Sequence, residues 1–460
     1  MTARLRESLH DAATDVPAYP VYERSLATAR RSRRRSALAT ALVLVALAGA
    51  GVAVPLVARP ATEPAVGADA GAALPDRVGV PPRGNLHSTD WPPLGPASVV
   101  FAGQAPGLMW GDEGSIITIV GATDDRYRII KGRNEAQPGE DTVLSPDGRR
   151  IAVGTGSSAR VVDLMTGRSR AVDTGVSDVV SSEAAAWSPD GRAVVVRETV
   201  PANAEGSAYR MVLSLVRLDG SGRVRLAEAD HAAGLGSPVA FAPDRLAYQT
   251  GRTVTVAGLD GRQQSAFALA PDTELAGKGA WNADGTLTIA RRDGSGWSLR
   301  RVDAHTGRDL GALDTPAVAD VTAIRLLGWS ADGSARVVAY VPSPTAPAAF
   351  DVPLTMDQRL AYGNVGTVEV LALDRGATAP TTLLTAPADV VAIDVADTVI
   401  RSGRTRAATP PEGIGPRFWF WTILLVLLGV GIVAYRRRVQ LALWLDDRRV
   451  RRSRRQRPPR

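Results

Sequence analysis

The histidines of this chain are few and far apart, so their spacing does not suggest a metal or acid–base centre. There are four, at His10, His87, His231 and His305. None of them stands in an H-E-x-x-H motif or another paired-ligand spacing, and the chain contains no cysteine. Zinc sites are built from such clustered His and Cys ligands, and disulfide frameworks need cysteine pairs. The sequence therefore predicts no metal and no disulfide.

Two other motifs that carry chemistry, the serine nucleophile and the phosphate loop, are absent or out of context. The chain has no G-x-S-x-G sequence, so it lacks the nucleophile elbow of the α/β-hydrolases. The stretch 154–159 (GTGSSA) fits a loosened dinucleotide fingerprint. It lies between two predicted strands, where no helix N-terminus is present to bind a phosphate. We interpret it as a hairpin loop, and we expect no cofactor and no enzymatic activity.

Aspartates that recur along the chain could suggest calcium, but each one stands in the same short turn sequence. The motif reads S-P-D-G in its best copies. Serine favours the first turn position, proline presets φ at the second, aspartate suits the third, and glycine accepts the positive φ that closes the hairpin. Turn formation is therefore the favoured role of these aspartates, including Asp244 in a variant copy. The turn residues are Ser145, Pro146, Asp147, Gly148, Ser188, Pro189, Asp190, Gly191, Asp284, Gly285, Asp332 and Gly333.

The elements on either side of these turns are short strands that repeat along the chain. Runs of Val, Ile, Leu and Tyr are broken by Gly and Asp every 8–12 residues, which is typical of an all-β fold. The turn motif recurs at intervals of about 40 to 54 residues, and a second hairpin follows each copy. Four strands per repeat predict a β-propeller of six blades, with seven left open. The six second hairpins are 116–130, 161–172, 214–226, 254–267, 299–313 and 368–384.

These repeats resemble those of TolB-type propellers, which are relatives of WD-repeat proteins. The pattern W-S-P-D-G-x-x-[IV]-[AV], followed by a D-x-x-[TD]-G hairpin, is nearly perfect at 145–148 and 188–191. The copy at 243–245 lacks the glycine, and the two later copies replace proline with alanine. The resemblance covers roughly residues 98–400 and implies a propeller fold. The stretch 390–400 is expected to be the last strand, which pairs with 99–101 to close the ring.

Two uncharged segments flank the repeats and are predicted to be membrane-spanning helices. Residues 37–58 would cover ~33 Å as a helix and residues 418–435 ~27 Å, against a hydrocarbon core of ~30 Å. For the first segment a cleaved signal peptide is the alternative. Aromatic and arginine side chains at the second segment are of the kind found at membrane interfaces. These interface residues are Trp419, Trp421, Arg436, Arg437 and Arg438.

The charges of the chain predict its orientation in the membrane. Residues 1–36 carry +4 and residues 436–460 carry +9, so a total of +7 leaves −6 for residues 59–417. Positive flanks remain cytoplasmic, so both termini are expected inside and the middle outside. The sequence pI of about 10.1 belongs to the tails, and nucleic acid is not an expected partner. The predicted organisation is a cytoplasmic segment 1–36, a span 37–58, an Ala/Pro/Gly-rich linker 59–97, an extracytoplasmic propeller 98–401, a linker 402–417, a span 418–435 and a basic cytoplasmic tail 436–460.

The expected function is binding without catalysis. A propeller is a scaffold, so an outward-facing copy in the cell membrane is expected to bind an envelope ligand or a protein partner and to relay a signal to the cytoplasm. The layout is similar to that of actinobacterial membrane proteins that regulate extracytoplasmic-function sigma factors, and the Ala/Arg/Gly-rich composition indicates a high-GC bacterium. An anti-sigma role for residues 1–36, an accessory domain of an envelope enzyme and an assembly protein of the envelope are the alternatives.

Overall fold

The structure is a computed structural model. It describes residues 71–82, 85–90, 92–105, 114–130, 138–230, 238–345, 365–388, 390–411 and 421–433, together with 437, 438 and 444. The predicted N-terminal segment 1–36 and the first predicted span 37–58 lie outside the described residues.

The described strands form six antiparallel sheets that follow one another as the blades of a propeller. Each blade has four strands, and its first strand lies nearest the axis. From the axis outwards, they are β26 (Ala392–Val395), β2 (Ala97–Ala105), β3 (Gly114–Gly121) and β4 (Tyr127–Ile130) in blade 1; β5 (Thr142–Leu144), β6 (Arg150–Gly154), β7 (Ala159–Asp163) and β8 (Ser169–Val172) in blade 2; β9 (Ser181–Trp187), β10 (Ala193–Pro201), β11 (Tyr209–Arg217) and β12 (Arg223–Asp230) in blade 3; β13 (Val239–Phe241), β14 (Arg245–Thr250), β15 (Thr253–Gly258) and β16 (Gln263–Ala268) in blade 4; β17 (Thr273–Leu275), β18 (Leu287–Asp293), β19 (Gly296–Val302) and β20 (Asp309–Ala312) in blade 5; and β22 (Ala323–Trp329), β23 (Ala335–Pro342), β24 (Val365–Leu373) and β25 (Thr381–Thr385) in blade 6.

The blade count agrees with the repeats of the sequence. All six predicted second hairpins are present, as β3–β4, β7–β8, β11–β12, β15–β16, β19–β20 and β24–β25. Blade 5 has one additional short strand, β21 (Val318–Ala319), which pairs with β19. The described residues therefore form six blades, and the seventh blade that the sequence left open is not among them.

The ring is closed by pairing between the two ends of the domain, as the sequence predicted. Strand β26 lies antiparallel to β2, with Val99 opposite Val395 and Phe101 opposite Ile393. The predicted strand 390–400 is wrong in its second half, because α1 (Asp397–Ser402) is a helix that ends at Gly403 with φ 62°. The helix buries Val399 and Ile400 in the largest core cluster. Closure leaves blade 1 without an open inner edge.

The hydrophobic core lies between the blades. In the described part of the chain, separate clusters of buried aliphatic side chains fill the interfaces of blades 2 and 3, 3 and 4, 4 and 5, and 5 and 6. The largest cluster joins blades 6, 1 and 2 and includes α1. Removing a large aliphatic side chain from such a site costs about 2–5 kcal/mol. Contacts between blades therefore make a large contribution to the stability of the fold.

The tryptophans that precede the turn motif join neighbouring blades. Each indole Nε1 donates a hydrogen bond to a backbone carbonyl of the preceding blade. This bond replaces the hydrogen bond to water that the N–H group loses when the indole is packed between blades. These residues therefore act as interblade contacts as well as strand ends. The bonds run from Trp187 to Val143 (2.9 Å), from Trp281 to Ala240 (3.1 Å) and from Trp329 to Gly279 (3.0 Å).

The segments that lead into and out of the propeller are packed on it. Strand β1 (Leu74–Pro75) pairs in parallel with β27 (Thr405–Arg406), and Leu74 and Val78 are buried in the largest cluster. Arg406 forms an ion pair with Asp125 of blade 1. These contacts extend the packed domain to residues 71–411, beyond the limits of 98 and 401 expected from the sequence. These segments contain few bulky apolar residues, and for this reason their composition predicted linkers.

The predicted membrane spans are not confirmed. Of the second span, 418–435, the structure describes residues 421–433, which are helical. At 1.5 Å per residue these thirteen residues cover about 20 Å, less than the ~30 Å of a bilayer core. Among the described residues no helix has the length and apolar character needed to cross a membrane. The large apolar side chains of 421–433 are exposed; Leu425, for example, is 65% exposed.

Candidate functional site

Charged side chains gather around the propeller axis, where the inner strands of the blades meet. We distinguish two groups. The latch consists of Lys278, Asp394 and Asp397, and the mouth cluster consists of Glu140, Glu183, Arg197 and Glu274. Successive strands of a blade run antiparallel, so its first and third turns lie on one face of the propeller and its connections to other blades on the opposite face. We call these the turn face and the connector face.

The latch joins blade 5 to the strand that closes the ring. The ammonium Nζ of Lys278 lies 3.0 Å from Oδ1 of Asp394 and 2.9 Å from Oδ1 of Asp397, and it donates to the carbonyl of Val395 at 2.5 Å. Asp394 is completely buried, and its Oδ2 accepts a hydrogen bond from the backbone N–H of Leu144 at 3.0 Å. Three blades thus converge on one carboxylate.

The surroundings of Lys278 determine its protonation state. Burial by itself would lower the pKa of Lys278, but the negative charges of Asp394 and Asp397 outweigh it, and the pKa is raised above the usual 10.5. The side chain therefore remains an ammonium ion at neutral pH. A lysine nucleophile needs a lowered pKa, so the latch is suited to holding the ring together and not to amine chemistry.

The mouth cluster spans blades 2, 3 and 5. Arg197 of β10 is buried; its Nε donates to Oε2 of Glu183 at 2.8 Å and its Nη2 to the backbone carbonyl of Glu140 at 3.0 Å. Glu274 comes from β17 of blade 5, which lies opposite blade 2 in the ring of six blades. Burial, and then the negative charge of Glu140, raise the pKa of Glu274 to about 8. Glu274 is consequently protonated near neutrality.

This arrangement can donate and accept protons or bind a polar ligand. A carboxyl group with a pKa near neutrality can act as an acid or a base, and such groups are enriched in functional sites. The fixed guanidinium of Arg197 adds a positive charge beside two carboxylates. In the parts of the chain that the structure describes, no three His, Cys, Asp or Glu side chains are arranged to hold a metal ion.

The turn residues predicted from the motif lie on the turn face, in the hairpins and outside the two axial groups. Asp147 Oδ1 accepts hydrogen bonds from Ser145 Oγ at 2.7 Å and from the backbone N–H of Arg149 at 3.1 Å. Gly148 has φ 68°, which closes the turn. The same arrangement recurs as Ser188–Asp190 (2.6 Å) with Gly191, where Pro189 holds the second position, and as Ser330–Asp332 (2.5 Å) with Gly333. In the turn that Gly285 closes, the first residue is Asn282, and Asp284 Oδ1 accepts instead from the hydroxyl of Thr286 at 2.6 Å.

The hydrogen bonds of these aspartates explain why they recur. The hydroxyl of Ser330, followed by the backbone N–H of Ser334, lowers the pKa of Asp332 to about 2. The carboxylate is thus engaged inside its own turn. This agrees with the turn interpretation of the repeated aspartates.

Three of the five residues predicted at the membrane interface lie in the part of the chain that the structure describes. Trp421 opens the described helix 421–433 and is 46% exposed, and Arg437 and Arg438 are helical. Trp419 and Arg436 lie outside the described residues.

The axial residues were not found by sequence reasoning. Lys278, Glu274, Asp394 and Arg197 belong to no motif, and the ion-pair partners Lys278 and Asp394 are far apart in the chain. One signal was present: Asp394 is a lone charge within the apolar run of β26, and a buried charge in such a run needs a partner. The identity of that partner depends on how the blades are arranged.

Comparison with known proteins identifies no family for this chain. No family model matches the chain, and no curated protein is similar to it in sequence. Solved structures similar to it include one described as TolB from Agrobacterium tumefaciens, with 14% identity over 59% of this chain and 94% of that protein and a TM-score of 0.36. Another is an oligogalacturonate lyase from Vibrio parahaemolyticus, with 11% identity over 68% of this chain and 79% of that protein and a TM-score of 0.37.

A third similar structure is dipeptidyl peptidase 4 from Porphyromonas gingivalis, with 13% identity over 62% of this chain and 44% of that protein and a TM-score of 0.32. The likeness to a TolB propeller expected from the repeats is therefore found. At such low identities these similarities are limited to the arrangement of strands. The fold is assigned from the strand pairing observed in this chain. The class is a six-bladed β-propeller.

Proposed function

We propose that this protein is a membrane-anchored β-propeller that faces the cell envelope and binds a ligand or protein partner there. Both termini lie in the cytoplasm, and residues 37–58 and 418–435 are the anchors. The supporting observation is the helix 421–433, whose large apolar side chains are exposed while the propeller has complete hydrophobic clusters of its own. Exposed Ile, Leu and Val in such a continuous run need a non-aqueous environment.

The mouth cluster is the binding site that we favour. It combines a fixed guanidinium, the side chains of Glu140 and Glu183 and a protonated Glu274 around the axis, so it offers both donors and acceptors to a polar ligand. Packed segments at both ends of the domain connect the propeller to the two anchors through residues 71–82 and 403–411.

The absence of cysteine from the chain makes the topology directly testable. Three single-cysteine variants are needed: Ser207→Cys in an exposed loop of blade 3, Ser25→Cys in the N-terminal segment and Ser453→Cys in the C-terminal tail. A membrane-impermeant maleimide should label only Ser207→Cys in intact cells, and all three after permeabilisation. Labelling of the tail positions in intact cells would overturn the proposed orientation.

One observation favours a second candidate, an enzyme with an acidic group at the axis. Glu274, with its raised pKa, is suited to general acid catalysis. Under this alternative the full-length protein turns over an envelope glycan or peptide, and Glu274→Gln abolishes turnover while ligand binding persists. If the protein only binds its ligand, the wild type shows no turnover, and Glu274→Gln changes only the affinity for the ligand.

A further inference from the structure

An open cleft lies between the outer parts of blades 2 and 3, away from the axial groups. It has a volume of about 450 Å³. Strand β8 and the residues just after it form one wall, and the turn between β11 and β12 forms the other. The residues that define this blade 2–3 cleft are Arg170, Val172, Asp173, Arg217, Leu218 and Arg223, and the glycines Gly220 and Gly222 lie at its rim.

The charges in the blade 2–3 cleft are not balanced. Arg223 faces Asp173 at 3.4 Å, whereas Arg170 and Arg217 form no ion pair with any described residue. The remaining acid, Asp219, is oriented into its own turn, where its Oδ1 accepts the backbone N–H of Ser221 at 2.8 Å. Hydrogen bonds from Ser221 lower the pKa of Asp219, so this carboxylate remains a turn acceptor. Two guanidinium groups are thus available in the cleft.

One of the arginines lies against backbone and the floor of the cleft is apolar. Gly175 has φ 65°, and a side chain there would collide with the guanidinium of Arg223. The arginine therefore packs on bare backbone. Val172 and Leu218 are buried beneath the cleft, which gives it an apolar floor. At Gly220 and Gly222 a side chain would meet no atom, so the rim is open to a ligand.

The turn face around the cleft is positive although the exported segment as a whole is negative. The sequences 145–150, 163–173, 188–192 and 217–225 of blades 2 and 3 contain eight arginines and five aspartates, a balance of +3. Residues 59–417 carry −6. Positive charge is therefore concentrated in two neighbouring blades, which is the pattern of a binding surface for anions.

We propose that the blade 2–3 cleft binds an oxyanion, a phosphate or carboxylate group of an envelope molecule. Guanidinium groups match these anions because their N–H donors form a planar fork. The proposal rests on the proposed function in one respect, namely that the propeller faces the envelope. It assigns a ligand class and a site that is separate from the axis.

Calorimetric titration of the detergent-solubilised full chain with inorganic tripolyphosphate tests this site. The wild type should bind, and raising the salt from low to near-molar concentration should weaken binding because the Debye length falls to about 3 Å. The double variant Arg170→Gln/Arg217→Gln should bind about tenfold more weakly, the result of losing two exposed charge contacts. Arg262→Gln is the control, because Arg262 is an exposed arginine that follows the glycine of an equivalent turn in blade 4.

Equal affinity of the double variant and the wild type, or no binding by the wild type, would overturn the proposal. An equal loss in Arg262→Gln would show non-specific attraction and overturn it too. Repeating the titration in nanodiscs separates the sources of the anion. If a lipid headgroup is the natural ligand, phosphatidylglycerol nanodiscs should block tripolyphosphate, whereas phosphatidylcholine nanodiscs should not. Unaltered binding in both indicates a soluble envelope anion. Neither result depends on the cysteine-labelling outcome, so the two proposals can fail separately.

Discussion

Lys278 and Asp394 form an ion pair, with Nζ and Oδ1 3.0 Å apart, that joins the fifth blade to the strand closing the propeller ring. The carboxylate is completely buried and also accepts the backbone N–H of Leu144 in blade 2. A propeller whose first blade combines strands from both ends of the domain needs such contacts, because among the described strands β26 is hydrogen-bonded to β2 alone.

Replacing Lys278 with methionine should destabilise the domain by about 3 kcal/mol, because Asp394 would become a buried charge without its cation. Urea unfolding of the full chain in detergent, followed by tryptophan fluorescence, measures this loss. The double variant Lys278→Met/Asp394→Asn should recover part of it, since the buried charge is then gone. Asp397→Asn is the control and should cost less than 1 kcal/mol, because Asp397 is 38% exposed. Equal losses in Lys278→Met and Asp397→Asn would contradict this account of the latch.

The stability of the domain should fall between pH 5 and pH 8 through Glu274. The carboxyl has a folded-state pKa of about 8 against a usual 4.5, so over this range the unfolded chain releases a proton that the folded chain retains. Fewer protons bound by the unfolded state mean that stability decreases as the pH rises. Glu274→Gln should match the wild type near pH 5 and exceed it by about 4 kcal/mol near pH 8.5, because each tenfold change in proton affinity is worth about 1.4 kcal/mol. Thermal unfolding at the two pH values tests this; a constant difference between the two proteins would refute it.

Gly148→Ala should be much more costly than Gly333→Ala, although both glycines close the same kind of turn with positive φ. At Gly148 a side chain would collide with the backbone carbonyl of Ala97, whereas at Gly333 it would meet nothing. Gly333→Ala should therefore show only the backbone strain of about 1 kcal/mol, and Gly148→Ala about 3 kcal/mol or more. Urea midpoints of the two variants give the comparison, and similar values would show that the turn of blade 2 does not pack tightly on blade 1.

Trp187→Phe should cost more than Trp297→Phe. Trp187 donates to the Val143 carbonyl at 2.9 Å, and the Arg150 guanidinium lies 5.2 Å from its ring centre. Trp297 is also buried, but its Nε1 has no hydrogen-bond partner among the described residues. Both substitutions remove a similar volume, so the difference isolates the interblade hydrogen bond and the cation–π contact, together about 1–2 kcal/mol. Equal unfolding free energies would mean that the bond to blade 2 adds no net stability.

The repeating turns allowed the fold class and the blade count to be predicted from sequence. A tight turn needs particular residues within four positions, so Ser188, Pro189, Asp190 and Gly191 define one without reference to the rest of the chain. Closure by β26 and β2 was also predicted, because a propeller without it would leave an open edge. The helix α1 was not predicted, since a short apolar stretch such as 396–400 is compatible with either strand or helix.

The packed extent of the domain was underestimated for a related reason. Leu74, Val78 and Arg406 are isolated in segments rich in Ala, Pro and Gly, and their role appears only where they contact blade 1 and the largest core cluster. A single anchoring side chain leaves no periodic pattern in the sequence.

The sequence by itself thus determined what depends on local chemistry: the turns, the strand repeats, the charge distribution and the two uncharged segments. The tertiary structure alone decided which charges meet. Lys278 and Asp394 are separated by more than a hundred residues, and Glu274 interacts with Glu140 across the axis. Electrostatic energies depend on distance and burial in space, so the latch, the mouth cluster and the blade 2–3 cleft exist only once the ring has closed.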